Sequence, residues 1–212
     1  LYLDGPCLVL AGAGSGKTRV ITQKIAYLLN TCGYSAKGVL ALTFTNKAAK
    51  EMVERLKPLV EPSLIKGLTV CTFHALGVRF LREEAQFAGL KRGFSILDAT
   101  DAASIIQEML STTDKGRIRA VQQVISLWKN QLIMPDQAET LAQTPDEQDA
   151  AKLYRSYEAT LKAYQAVDFD DLILLPVMLM RDHEEVRERW QKRITYLLVD
   201  EYQDTNACQY EW

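Results

Sequence analysis

The sequence predicts an α/β fold: a parallel sheet carrying a phosphate-binding loop, with a mostly helical subdomain inserted into it. Three observations predict it. An apolar run ends in the glycine-rich "AGAGSGKT", Ala11–Thr18. Up to Phe87, short apolar runs alternate with amphipathic stretches, as strand–helix units do. From about Phe94 to Arg189 helical periodicity takes over, and a last apolar run, "TYLLVDE", then restores the strand pattern.

Cys7–Ala11 reads as a short buried strand, because every residue is apolar and the run has strand length. Gly12-Ala13-Gly14-Ser15-Gly16 follows, and its glycines let the chain curl and turn successive N–H groups inward. Such a nest binds an anion, and the positive end of a helix beginning near Lys17 adds to it. Lys17 reaches the outer phosphates of a nucleotide, and the Thr18 hydroxyl joins a Mg2+ ion. This is a P-loop of Walker A type, so Ala13, Gly14, Ser15, Gly16, Lys17 and Thr18 are the candidate nucleotide-binding residues. The loop departs from G-x-x-x-x-G-K-[ST] only at Ala11, a packing position where alanine is harmless.

The next elements follow the same logic. Thr18–Leu29 reads as a helix and Val39–Phe44 as a strand. Asn46–Lys57 is a helix stopped by Pro58, Leu68–Phe73 a strand, and His74–Phe87 a helix. The near-continuous apolar character of the strands, Tyr196–Val199 included, fits a sheet covered on both faces. In the middle region Ile105, Ile106, Met109 and Leu110 share one helical face. So do Val121, Val124, Ile125 and Trp128, and again Leu153, Tyr157, Leu161 and Tyr164. Asp98 opens a capped helix, while Met134-Pro135 and Thr144-Pro145 punctuate the segment.

The last strand ends in two acids, Asp200 and Glu201. A carboxylate at a strand's carboxyl edge beside a P-loop holds Mg2+ directly or through water, the role read for Asp200. Glu201 points elsewhere and polarises an attacking water as a base. Gln203 is a neutral group suited to sensing the γ-phosphate or that water. Lys17, Glu201 and Gln203 are thus the catalytic candidates, with Thr18 and Asp200 as metal ligands and ATP with Mg2+ as the bound species.

Bulk properties bound the function further. The 212 residues suit one large domain or one domain carrying an insertion, and 48% hydrophobic residues suffice for a core. No apolar run reaches about 18 residues, so no membrane span is expected. No signal pattern opens the chain. Cys7, Cys32, Cys71 and Cys208 show no C-x-x-C spacing, and two fall in predicted buried strands. Reduced thiols in a cytoplasmic protein are the simplest reading. Net charge is −2, but it is divided: residues 1–82 hold eleven Lys/Arg against four Asp/Glu, net +7, and residues 83–212 hold fourteen against twenty-three, net −9. The phosphate-binding part is therefore basic, as a polyanion-binding face requires; a solvated helix face is the plainer alternative. The chain opens at Leu1 and stops at Trp212 soon after a motif, which leads us to expect a piece of a longer protein.

"AGAGSGKTRV", "TFTNKAAKEM", "TFHALGVRFLR", "DFDDLILL" and "LLVDEYQDTN" occur in this order along essentially the whole chain. In this the chain resembles the Rep/UvrD family of superfamily 1 DNA helicases, and with "WKN" and "DFDDLILLP" it is nearest the Rep branch. The resemblance implies a RecA-like first motor domain. It would occupy residues 1–84, with a helical insertion subdomain in 85–189, and resume in 190–212. It implies ATP-driven 3′-to-5′ translocation on single-stranded DNA with duplex unwinding, in replication or repair. The implied partners are single-stranded DNA, single/double-strand junctions and replication or repair proteins, with no membrane, for a monomer or weak dimer.

The same resemblance assigns DNA contacts. Phe44 would stack on a base, with Thr45, Asn46 and Lys47 as weaker contacts; base stacking on an aromatic tolerates any sequence. From the residues alone, a core Phe beside a capped helix is the plainer reading. Thr72 and His74 would contact the DNA backbone, although a lone His more often satisfies local polar needs. Phe169 matches a family aromatic that meets a base, against a core aromatic as the plainer reading. Asp168, Asp170 and Asp171 look like a metal cluster, but helix capping explains them more cheaply. Arg19 matches a family arginine that lies against adenine; an Arg face stacks on a base, and a surface arginine is the alternative.

"LYLDGP" lacks the family's glutamine-bearing adenine motif. The second motor domain and its arginine fingers would lie beyond Trp212. The 212 residues alone are therefore expected to bind Mg-nucleotide weakly and neither hydrolyse it well nor unwind DNA. Other classes stay open: the motor subunit of a helicase–nuclease, a non-catalytic DNA-binding accessory module, and, remotely, a small-molecule P-loop kinase. Intact Lys17, Thr18, Asp200 and Glu201 speak against the module. The kinase would need neither Phe44 and Phe169 nor a large insertion.

Overall fold

The computed structural model describes residues 5–12 and 16–212. The chain divides into two compact units. One holds the chain up to Phe73 together with Glu188–Asp204; the other holds His74–Arg187 with Thr205–Trp212.

The first unit contains helices α1 (Lys17–Asn30), α2 (Asn46–Leu56) and the short α3 (Pro62–Ile65), with strands β1 (Val39–Thr43) and β2 (Thr69–Thr72). The last strand, β5 (Tyr196–Val199), returns to the same sheet, so its order is β2–β1–β5. Both pairings are parallel. β1 is buried along its whole length, as a central strand covered on two faces must be. Ile25 and Leu29 of α1 and Met52 and Leu56 of α2 pack with Val39 and Ala41 into one core. Full burial of each such side chain is worth about 1.5–3 kcal/mol. Thr45 starts α2 by accepting the Ala48 N–H at 3.1 Å, an N-cap that satisfies one orphan donor of the first turn.

Strand register sets what lies at the carboxyl edge. Thr43 of β1 is level with Thr72 of β2, and Leu42 with Val199 of β5. The Asp200 N–H donates to the Leu42 carbonyl at 2.9 Å, extending that ladder by one residue. Thr43, Thr72 and Asp200 therefore end the three strands side by side. One residue on, Phe44 and Phe73 meet with ring centroids 5.6 Å apart and planes tilted by 52°.

Two expectations are corrected here. Cys7–Ala11 is not a strand in the structure: it joins no ladder, and Leu8, Val9 and Leu10 are exposed. Apolar composition alone does not make a strand, which also needs a neighbour to accept its N–H and C=O groups. Cys7 is accordingly exposed, whereas Cys71 in β2 is buried. Phe73, read as a strand end, is instead the first residue of α4 (Phe73–Glu83).

The second unit is mostly helical. After α4 come β3 (Ser95–Ile96), α5 (Ala99–Leu110), α6 (Lys115–Asn130), α7 (Pro135–Leu141), α8 (Pro145–Ala163), β4 (Ala166–Val167) and α9 (Asp171–Asp182). α10 (Glu184–Arg193) leads back to the first unit, and α11 (Ala207–Glu211) closes the second. β3 and β4 pair in parallel over two residues each, a miniature sheet that the helical pattern hid. Asp98 caps α5 through a reciprocal box with Asp101, as read from the sequence. Ile106, Val121, Ile125 and Trp128 join Tyr154, Tyr157 and Leu161 in one core. The α8 stripe differs from expectation at its end: Tyr154 is buried, while Tyr164 caps the helix and is exposed. A helical stripe lapses where the helix stops. Among the described residues no helix is long and apolar enough to cross a membrane.

Gly77 lies where α4 and α9 approach closely. A Cβ at this position would collide with the Leu172 carbonyl of α9, and Trp212 lies 3.3 Å from the same point. Gly77→Ala is expected to lower the unfolding free energy by about 1–3 kcal/mol, because a backbone carbonyl cannot yield as a flexible side chain would. Denaturant unfolding of the variant checks this; an unchanged midpoint would show that α4 and α9 slide apart freely.

Candidate nucleotide and DNA sites

The first half of the candidate nucleotide site lies at the start of α1. Gly16 precedes α1 with φ +88°, a left-handed setting that glycine adopts without strain. Ala13, Gly14 and Ser15 lie outside the described residues, so the candidate nucleotide site is built here from Gly16, Lys17, Thr18 and Arg19. Arg19 is exposed on the first turn of α1.

The strand end and the helix start converge. Lys17 Nζ lies 3.2 Å from Glu201 Oε2. The Thr18 hydroxyl donates to Asp200 Oδ2 at 3.4 Å. Asp200 is buried, and its other oxygen accepts the Glu201 N–H at 3.0 Å. Glu201 sits at φ +51°, an uncommon left-handed setting for a residue with a side chain and one that clusters at functional sites. The Gln203 amide donates to the Glu201 carboxylate. That bond, together with the Lys17 ammonium, holds the Glu201 carboxyl below its ordinary range, so it stays ionised at neutral pH.

This arrangement is chemically specific. Lys17 neutralises Glu201. A hydroxyl and a carboxylate side by side are the hard oxygen donors that Mg2+ prefers, so Thr18 and Asp200 fit that ion. Among the described residues no group of three His, Cys, Asp or Glu forms a metal site, the DFDD acids included.

The sequence-selected DNA residues fall into two groups, one per unit. In the first unit Phe44 is half-buried against Phe73, Thr72 is buried, and Thr45, Asn46 and Lys47 are exposed. The Thr45 hydroxyl is engaged in capping α2. In the second unit His74 and Phe169 lie against each other, centroids 4.4 Å apart and planes 33° from parallel, with Phe169 57% exposed. A core aromatic would not show that exposure. Burial lowers the His74 pKa although Asp170 opposes this, so the ring is neutral near pH 7.

The turn that presents Phe169 is anchored by a group that sequence reasoning missed. Lys129, fully buried, sits 2.8 Å from Asp168, 2.7 Å from Asp171 and 2.7 Å from Glu158. Asp168 and Asp171 exchange backbone bonds, with the Asp171 N–H to Asp168 at 2.9 Å and the Asp168 N–H to Asp171 at 3.1 Å. Of the capping expected of the three acids, Asp168 accepts the N–H that opens α9, whereas Asp170 makes no capping bond; Asp168 and Asp171 also bind a buried cation. The Tyr157 hydroxyl donates to Asp168 at 3.0 Å. Burial works against the Asp168 carboxylate, yet Lys129 and these hydrogen bonds hold its pKa below the ordinary value. One cation cannot balance three carboxylates. Burial foremost, with Asp168 and Glu158 adding to it and Lys129 opposing, pushes Asp171 up to about 8. A lysine next to Trp128 in a helical stripe reads as a solvated charge; only its place four residues after Ile125 and eight after Val121, on the same helical face, hinted otherwise.

The whole chain, residues 1–212, matches the family described as UvrD/REP helicase N-terminal domain. The chain belongs to the UvrD/REP helicase N-terminal domain family. Among similar proteins of this family, the ATP-dependent DNA helicase Rep of Escherichia coli is 50% identical over 99% of the chain, which is 32% of that protein. The ATP-dependent DNA helicase PcrA of Staphylococcus aureus is 44% identical over 98% of the chain and 29% of its own length. That of Leuconostoc citreum is 40% identical over 98% and 28%. The chain thus spans about a third of the length of these UvrD/REP relatives.

The Lys129 cluster predicts a pH dependence of stability. Asp171 releases its proton near its ordinary value of 3.8 when unfolded and near 8 when folded. Between those values the folded state binds the extra proton, so stability falls as pH rises through the window. The slope is up to about 1.4 kcal/mol per pH unit for one proton. Denaturant unfolding between pH 6 and 8 should show this decline, and Asp171→Asn should flatten it. Lys129→Met, which strands the carboxylates, is expected to cost about 3–5 kcal/mol. A wild type with no pH slope would contradict the raised Asp171 pKa.

Proposed function

We propose that this chain is the nucleotide-binding part of the first, RecA-like motor domain of an ATP-dependent DNA helicase. In this reading it moves 3′-to-5′ on single-stranded DNA in replication or repair. The motor domain covers residues 1–84 and 190–212, and the helical insertion covers 85–189. The observation that carries the reading is the convergence of Lys17 on Glu201 and of Thr18 on Asp200, in a chain that belongs to the UvrD/REP family.

Each group has a defined task. Lys17 leaves Glu201 to bind the outer phosphates of ATP, and Glu201, freed, orients and deprotonates the attacking water. Gln203 holds the Glu201 carboxylate and stands where the water or the γ-phosphate is sensed. Gly16 and the preceding loop residues Ala13, Gly14 and Ser15 offer N–H groups to the phosphates, and Arg19 covers the base. Thr18 and Asp200 hold Mg2+, which neutralises phosphate charge when bound. Phe44 and Phe169 stack on bases, while Thr45, Asn46, Lys47, Thr72 and His74 contact the strand. Such stacking carries no sequence information, which suits a translocating motor. The 212 residues by themselves are expected to turn over ATP slowly, since an arginine finger supplied elsewhere is worth about 10^3–10^5 in rate.

ATP hydrolysis by the full-length protein, with and without single-stranded DNA, tests the reading. Single strands should stimulate hydrolysis, and Lys17→Ala should reduce the stimulated rate by about 10^2–10^3-fold, as loss of a preorganised charge-stabilising group does. Phe169→Ala should weaken single-strand binding by about 1–3 kcal/mol. Hydrolysis indifferent to DNA would favour the accessory-module reading instead.

A further inference from the structure

Phe169 is 57% exposed, yet the turn that carries it is fixed. The turn is tied to the end of α6 at three positions. Lys129 lies 2.8 Å from Asp168 and 2.7 Å from Asp171, and Asn130 Nδ2 donates to Asp170 Oδ1 at 2.8 Å. With its neighbours on both sides held, Phe169 keeps only its own side-chain torsions. His74, in the first turn of α4, limits those. Its ring centroid lies 4.4 Å from that of Phe169, with the planes 33° from parallel. That separation is at the short end for aromatic pairs and the tilt is small, so the His74 ring covers one face of Phe169.

One covered face limits what Phe169 can bind. A side chain that wedges into a stack uses both faces, one against each of two successive bases. Phe169 has a single open face, which admits one unpaired base and excludes insertion between two. His74 is also better suited to backing a ring than to pairing with charge. Burial, opposed by Asp170, lowers its pKa, so near pH 7 it brings no positive charge to a phosphate. The Asp170 carboxylate that acts on it would itself repel a phosphate.

We propose that His74 is a positioning residue for base stacking: its ring backs Phe169, so that Phe169 presents one fixed face to one unpaired base. A ring already held in its bound orientation loses less freedom when a base arrives, and binding gains by that difference. The inference rests on the stacking role proposed for Phe169 above and gives His74 a part that needs no bond to the strand.

The test uses the full-length protein without nucleotide and two oligomers of equal length, oligo-dT and a fully abasic counterpart. Both carry the same phosphates, so at one salt concentration the ratio of their dissociation constants, abasic over oligo-dT, reads the bases alone. Phe169→Ala sets the reference and should lower this ratio by about 5- to 150-fold, the worth of one stacked base. His74→Phe keeps a ring behind Phe169 and loses every polar atom of the side chain; His74→Asn does the reverse. His74→Phe should hold the ratio within about twofold of wild type, whereas His74→Asn should lower it by about three- to tenfold, as loss of preorganisation does. His74→Asn combined with Phe169→Ala should be no worse than Phe169→Ala alone, since His74 acts through that ring. Thermal midpoints check that the variants fold; should either not, His74→Tyr replaces His74→Phe and His74→Ala replaces His74→Asn. A loss below about threefold in His74→Asn, or equal losses in both His74 variants, would overturn the backing role and leave the stacking role of Phe169 standing. A ratio unmoved by Phe169→Ala would overturn both.

Discussion

Parallel pairing of β1 with β2 on one side and β5 on the other is the constraint from which the candidate chemistry follows. In a parallel sheet all carboxyl ends lie on one edge, where ligands of open α/β folds collect. Register then decides which residues share that edge. Thr43 is level with Thr72, and Asp200 extends the ladder from Leu42. A slip of one residue would turn every β5 side chain to the other face and take Asp200 away from Thr18. The full burial of β1 resists such a slip.

On this edge two pairs of groups converge, each in a state suited to exchange. Lys17 and Glu201 form an ion pair that is only partly buried, so water screens it and a polyphosphate can replace it. Thr18 and Asp200 are neutral donor and charged acceptor, and a divalent ion can insert between them without breaking a strong bond. The buried Lys129 cluster is the opposite case. Lys129, Asp168 and Asp171 are buried and bound to one another, as a rigid mount for an exposed aromatic requires. The exchangeable pairs lie in the first unit and the fixed cluster in the second.

Lys17, Thr18, Asp200 and Glu201 could be singled out from the sequence as candidates because each motif lies within a few residues. Lys17 and Thr18 follow Gly16, which has φ +88°, and Asp200 and Glu201 end an apolar run. Helix starts at Asp98 and Asn46 were equally legible, since caps are local. Contacts between distant segments were not. Lys129 lies 29 residues from Glu158, 39 from Asp168 and 42 from Asp171, and Asn130 lies 76 residues from Asn206. Nothing in "WKN" marks a buried cation. The same reason explains Cys7–Ala11, whose apolar composition predicts a strand that the structure does not pair. It also explains β3 and β4, too short for a periodic signal.

In the proposed function Glu201 shares Lys17 with the nucleotide and serves hydrolysis rather than binding. Titration of a non-hydrolysable ATP analogue with Mg2+ into full-length Glu201→Gln, beside its hydrolysis rate, tests this most directly. Binding as tight as wild type or tighter, with hydrolysis reduced by about 10^2–10^4-fold as expected for loss of a general base, is the predicted result. Binding that is lost together with hydrolysis would contradict it, and would make Glu201 a structural partner of Lys17 instead.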